Sequence, residues 1–137
     1  MHHPKLDELV RTDPRYAYEA YEFVFVALAH TQKLLGRVPP GGSSPEQEHH
    51  VRGPELLAGV RDLALQEFGL MARTVFRMWG INATADFGEI VFNLIEAGLM
   101  SKTDDDTRLD FHGVYDLDEA LTQGYRIEVK EEAEDSP

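Results

Sequence analysis

The sequence predicts a mostly helical α+β domain, four or five helices followed by a small C-terminal β hairpin. Three observations predict it. Apolar residues recur at helical spacing in successive segments, as at Tyr21, Val24, Phe25 and Leu28. Prolines and glycines punctuate those segments at Asp13-Pro14, Gly36, Gly53-Pro54, Gly69, Gly80 and Gly98. The run from Asp86 to Lys102 reads as an amphipathic helix stopped by Gly98 and followed by a strand. A length of 137 residues is one domain's worth, and 42% hydrophobic content is enough for one core. Residues 1–130 are therefore read as a single globular domain with a flexible internal loop at 36–52, and residues 131–137 as a disordered acidic tail.

Each element has a local reason. Pro4 to Arg11 places Leu6, Leu9 and Val10 on one side of a short helix. Asp13-Pro14 offers a capping carboxylate and a proline for the start of a long helix from Tyr16 to Leu35, which is apolar on more than one side. The connection Val38–Pro45 holds three prolines, two glycines and two serines, the composition of a flexible loop. Pro54 opens the next helix, with Leu56, Leu57, Val60, Leu63, Ala64 and Phe68 on its core side and Gly69 at its end. A fourth helix from Leu70 to Trp79 directs Met71, Val75, Met78 and Trp79 inward. Thr84 or Asp86 caps a fifth, whose core face is Ile90, Val91, Leu94 and Ile95. Leu99–Thr103 and Arg108–Phe111 read as the hairpin strands around an Asp104-Asp105-Asp106 turn. Asp116 caps Leu117–Leu121, and Tyr125–Lys130 alternates like a last strand. This order is similar to a winged helix.

Composition excludes several chemistries. With no cysteine there is no disulfide, thiolate metal site or cysteine nucleophile, which fits a reducing compartment. The longest apolar run, Phe23–Ala29, falls far short of the roughly 20 residues that span a bilayer. With no apolar run behind the N-terminus either, a cytoplasmic protein without membrane contact is expected. The net charge is −12, and residues 103–137 carry −9 of it through 12 acids and 3 bases. Such a chain repels nucleic acid and favours a basic protein partner.

Few side chains suggest a site. No cofactor or metal set is expected. His49 and His50 lie in the expected loop and read as solvated. His30 lies mid-helix, two turns from Glu22, and reads as a partly buried hydrogen-bonder. His112, between Asp110 and Asp116, is the best imidazole for a catalytic or ligand-binding role and otherwise a turn residue. Asp104-Asp105-Asp106 fails as a calcium loop, since the fifth position is Arg108 and the twelfth Tyr115. Asp86-Phe87-Gly88 copies a kinase triplet without the rest of a kinase, so Asp86 is read as a helix-terminal acid. Arg61, Arg73 and Arg77 are the notable bases. Arg73 and Arg77 lie one turn apart, placed either to bind phosphate or to pair with the acidic C-terminal third.

The segments Tyr21–Val24, Pro54–Leu57, Phe68–Val75, Asp86–Leu94 and Phe111–Asp116 resemble a small bacterial family reported mainly from planctomycetes and verrucomicrobia. The resemblance spans roughly residues 10 to 121, with the 38–45 loop similar to an insertion. It implies a freestanding bacterial domain and carries over no activity and no site residue. The reading that follows is a non-enzymatic protein-interaction domain, a homo-oligomer with an acidic C-terminal face. Two rivals stand beside it: a winged-helix nucleic-acid binder using Arg61, Arg73 and Arg77, and a small enzyme or ligand-binder around His112.

Overall fold

The computed structural model describes residues 3–36, 50–101 and 106–122, and every regular element among them is helical. Helix α1 spans Pro4–Thr12, with proline in its first turn and His3 Nδ1 accepting the Lys5 N–H at 3.1 Å. Helix α2 spans Tyr18–Leu34, starting two residues later than Tyr16. Asp13 does not cap it. Its N–H closes α1 on the Leu9 carbonyl, and its carboxylate takes Arg15 Nε at 2.8 Å and Asn93 Nδ2 at 3.0 Å. Helix α3 spans Gly53–Phe68, where Glu55 reaches back to the Arg52 N–H at 3.0 Å. A 3-10 turn over Gly69–Met71 leads into α4, Ala72–Met78. Helix α5 spans Thr84–Glu96. Asp86 sits in its first turn as a helix-terminal acid, accepting the N–H groups of Asn82 at 2.8 Å and Ala83 at 3.1 Å.

The expected hairpin is absent among the described residues. Leu99 and Met100 form a bend, and Arg108–Phe111 is a 3-10 turn, so the winged-helix likeness falls with it. The cause is local. Asp110 reaches back to the Thr107 N–H at 3.0 Å and its own N–H meets the Thr107 carbonyl, which closes a turn instead of a ladder. The rest of the expected strand at Thr103, the acids Asp104 and Asp105, the strand Tyr125–Lys130 and the tail 131–137 lie outside the described residues. So does most of the 36–52 loop. Residues 117–122 are helical, and Asp116 caps them by accepting the Glu119 N–H at 3.0 Å.

Helices α2 and α3 run antiparallel. Phe23 stacks near Phe68, His30 Nε2 meets Asp62 Oδ2 at 2.6 Å, and Thr31 faces Gly59, so rising numbers on one helix meet falling numbers on the other. His30 is the partly buried hydrogen-bonder expected, with Asp62 as partner in place of Glu22. Helix α5 packs on this pair through Phe87, Ile90 and Leu94, all fully buried. Phe111 drives its ring between α3 and α5 at two glycines. A Cβ on Gly88 would lie 2.9 Å from Phe111 Cβ, and one on Gly53 would lie 3.1 Å from its Cε1.

A polar seam ties the α1–α2 junction to α5. The Tyr16 hydroxyl donates to Asp86 at 2.6 Å, Asn93 donates to the buried Tyr21 oxygen at 3.1 Å, and Arg15 bridges Asp13 and Glu89. The Arg15 hydrogen bonds hold the Asp13 carboxyl well below the usual carboxylate range, against burial and with help from Asn93. Burial, seconded by Asp86, pushes the Tyr16 hydroxyl above its ordinary range. The signs follow by linkage. A depressed Asp13 stabilises the fold above the ordinary carboxylate value of about 4, and that stability is lost as pH falls. A raised Tyr16 stabilises below about pH 10, and that stability is lost as pH rises. Thermal melts of Asp13→Asn should therefore show a flatter acid limb below about pH 4 than the parent. An unchanged limb would place the acid sensitivity on other carboxylates.

Candidate interaction surface

The short helix α4 has two apolar stripes at helical spacing. One is Ala72, Phe76 and Trp79; the other is Met71, Val75 and Met78. The sequence pattern points the second inward together with Trp79, and the structure turns the first inward instead, keeping only Trp79 of the expected set against the core. Ala72 and Phe76 are fully buried, while Leu70, Met71 and Met78 are 67%, 58% and 76% exposed. The reason is aromatic packing. Phe76 meets Phe87 at 5.3 Å and Phe23 at 5.5 Å between ring centroids, and Trp79 meets Phe23 at 5.5 Å and Phe68 at 5.7 Å. Three rings around Phe23, with Phe87 behind Phe76, favour this rotation over one that would bury two flexible thioethers. Trp79 is thus the core plug expected, with Phe68 and Trp79 left half-buried beside the exposed methionines.

The notable arginines do not form a basic face. Arg73 Nε binds Asp118 Oδ1 at 2.7 Å, and its Nη1 donates to the Ile81 carbonyl at 3.1 Å. Arg61 Nε donates to the Ala120 carbonyl at 2.9 Å. Both therefore hold the C-terminal helical segment, but only Arg73 does so by pairing with an acid of the C-terminal third; Arg61 takes a backbone carbonyl. Arg77 does not join them: it is exposed, with no ion-pair partner among the described residues. Lys102 lies outside the described residues.

The segment 117–122 occupies a cleft against α3 and α4. Leu117 and Leu121, one turn apart, are buried, and the Tyr115 hydroxyl donates to the Leu57 carbonyl at 2.7 Å just before it. Burying two leucines contributes roughly 3–6 kcal/mol. The two arginine contacts add about 1–2 kcal/mol, because Asp118 faces solvent. Ordering the backbone of six residues costs roughly 6–12 kcal/mol. These terms cancel to within a few kcal/mol, so the segment is docked close to balance.

The histidines divide. His112 is exposed and no acid converges on it among the described residues, so its geometry lends no support to a catalytic role. His50 is not solvated as its loop setting suggested. Its Nε2 lies 2.9 Å from Asp106 Oδ2, at a cavity of about 30 Å³ lined by Val51, Leu56, Val91, Phe92 and Phe111. That volume holds about two waters and is an order of magnitude below a ligand pocket. Asp106 is correspondingly withdrawn from solvent, unlike the open acidic turn expected. No group of three or more His, Asp or Glu side chains that could hold a metal gathers among the described residues. Nor is any described helix long and apolar enough to cross a membrane.

Sequence reasoning did not find the outward methionine stripe, the Tyr16–Asp86 bond or the cleft around residues 117–122. The first depends on helix phase and the others on tertiary approach. Only the i, i+4 leucines and the Asp116 cap foreshadowed the last. Comparison with family models, curated proteins and solved structures found no match.

Proposed function

We propose that this chain is a non-enzymatic protein-interaction domain that self-associates through the outer face of α4. The observation that carries the reading is the exposure of Leu70, Met71 and Met78 beside the half-buried Phe68 and Trp79. Adjacent exposed apolar side chains of this size mark association surfaces on soluble proteins, and methionine adapts to the shape it meets. The patch is smaller than the roughly 800 Å² per partner of a standard interface, so the association is weak, with a Kd of tens of micromolar or above. Two copies each carrying −12 repel at long range, so added salt strengthens it. The exposed acids Asp116, Asp118 and Glu119 extend the reading to a basic partner on the C-terminal face. A chain without cysteine suits the reducing cytoplasm.

Sedimentation equilibrium of the full chain tests it. Dimer should form at high micromolar concentration and increase with salt. Met78→Glu should weaken it at least tenfold, with the melting temperature held because that side chain already faces solvent. A parent chain that stays monomeric at every concentration and salt removes the reading.

A further inference from the structure

We infer that the cleft holding residues 117–122 is a helix-binding groove, and that its foreign occupant is an acidic amphipathic helix of the pattern Leu-Asp-x-x-Leu. The resident segment is an image of that ligand. Leu117 and Leu121 fill two buried slots one turn apart, the spacing by which a helix lays an apolar edge into a groove. Arg73 reads the acid that follows the first leucine, at 2.7 Å from Asp118. Arg61 takes the carbonyl just before the second leucine, at 2.9 Å from Ala120. These are the contacts of ligand recognition, made within one chain.

Two further observations point to exchange with an outside helix. The resident docks close to thermodynamic balance, as the terms above show, so a modest advantage displaces it. That advantage is at hand. Arg77 stands one turn along α4 from Arg73, exposed and without an ion-pair partner among the described residues. An incoming helix carrying an additional acid would meet a cation that the resident segment leaves unused. The side chains that grip the segment, Arg61 and Arg73, are both cations, so the groove favours an acidic ligand over a basic one. Residues 112–114 are exposed, but the Val114 N–H meets Thr84 Oγ1 at 3.3 Å and the Tyr115 hydroxyl meets the Leu57 carbonyl, so the exchange concerns residues 117–122 beyond that anchor.

The test uses the full chain and a fluorescein-labelled peptide with the sequence of residues 114–124. Fluorescence anisotropy should show binding to the parent chain at millimolar or submillimolar peptide. Binding should be at least tenfold tighter in Leu117→Ser/Leu121→Ser, where the resident no longer competes. Arg73→Glu should weaken binding at least tenfold in either background. Met78→Glu should leave peptide binding unchanged, which separates this groove from the α4 outer face. Hydrogen exchange on the parent chain gives a second readout: saturating peptide should accelerate the amides of residues 117–122 as they are displaced. No binding to the parent chain at millimolar peptide, binding insensitive to Arg73→Glu, or unchanged exchange at 117–122 would each overturn the proposal.

Discussion

Gly59→Ala is expected to lower stability by about 2–3 kcal/mol, a loss of roughly 6–10 °C in melting temperature for a chain of this size. Helix propensity alone argues the opposite sign, since alanine in a helix interior is favoured over glycine by roughly 1 kcal/mol. The close approach of α2 decides the outcome. A Cβ on Gly59 would fall within the van der Waals radius of Thr31 Oγ1 and only 2.8 Å from Thr31 Cβ. Thr31 cannot swing aside, because it is buried and its hydroxyl donates to the Ala27 carbonyl at 2.6 Å. The helices must therefore part, and an antiparallel pair that anchors the core loses its contact along several turns. Thermal melts of Gly59→Ala, Thr31→Ala and the double variant check the cause. The double variant should be more stable than the two single losses added together. A Gly59→Ala chain as stable as the parent would mean the two helices are not in contact at this point.

Gly80→Ala carries the second large effect, a loss of about 3 kcal/mol or more. Gly80 has φ +90°, a backbone angle that L side chains rarely adopt. It also lies against the Arg15 carbonyl, into which a Cβ would project. Strain and collision add here, so Gly80→Asn, the usual relief at a left-handed position, should not rescue. The site matters because the Ala17 N–H meets the Trp79 carbonyl at 3.1 Å, which joins the start of α2 to the end of α4. Loss of that junction frees Trp79 from its ring cluster. Urea unfolding followed by tryptophan fluorescence reports both, since Trp79 is the sole tryptophan. An unshifted midpoint would show that the turn relaxes without cost.

Much of the helical framework is legible from residue spacing. Helices α3 and α5 follow apolar periodicities long enough to leave little choice of phase, α2 is legible as a helix although apolar on more than one side, and Asp86, Asp116 and Gly98 act at ends where their chemistry says they should. Two places resist such reading, each for a physical reason. Arg108-Leu109-Asp110-Phe111 alternates as a strand would, yet one carboxylate reaching back to one amide is enough to close it into a turn. Helix α4 has seven residues and two apolar stripes, and only the rings of Phe23, Phe68 and Phe87 decide which is buried. The surplus apolar area read from α2 is present there at Val26 and Leu34 and at the adjoining Leu35, whereas the exposed patch on α4 was not foreseen, and the cleft was foreseen only as arginines that would find acids.

The wedge of Phe111 between two glycines has an evolutionary consequence. Gly53, Gly88 and Phe111 share one volume, so none can drift alone: a side chain gained at position 53 or 88 demands a smaller one at position 111. Diverging descendants of this chain should keep all three or exchange them in concert, while the neighbouring Leu109, open to water, varies freely.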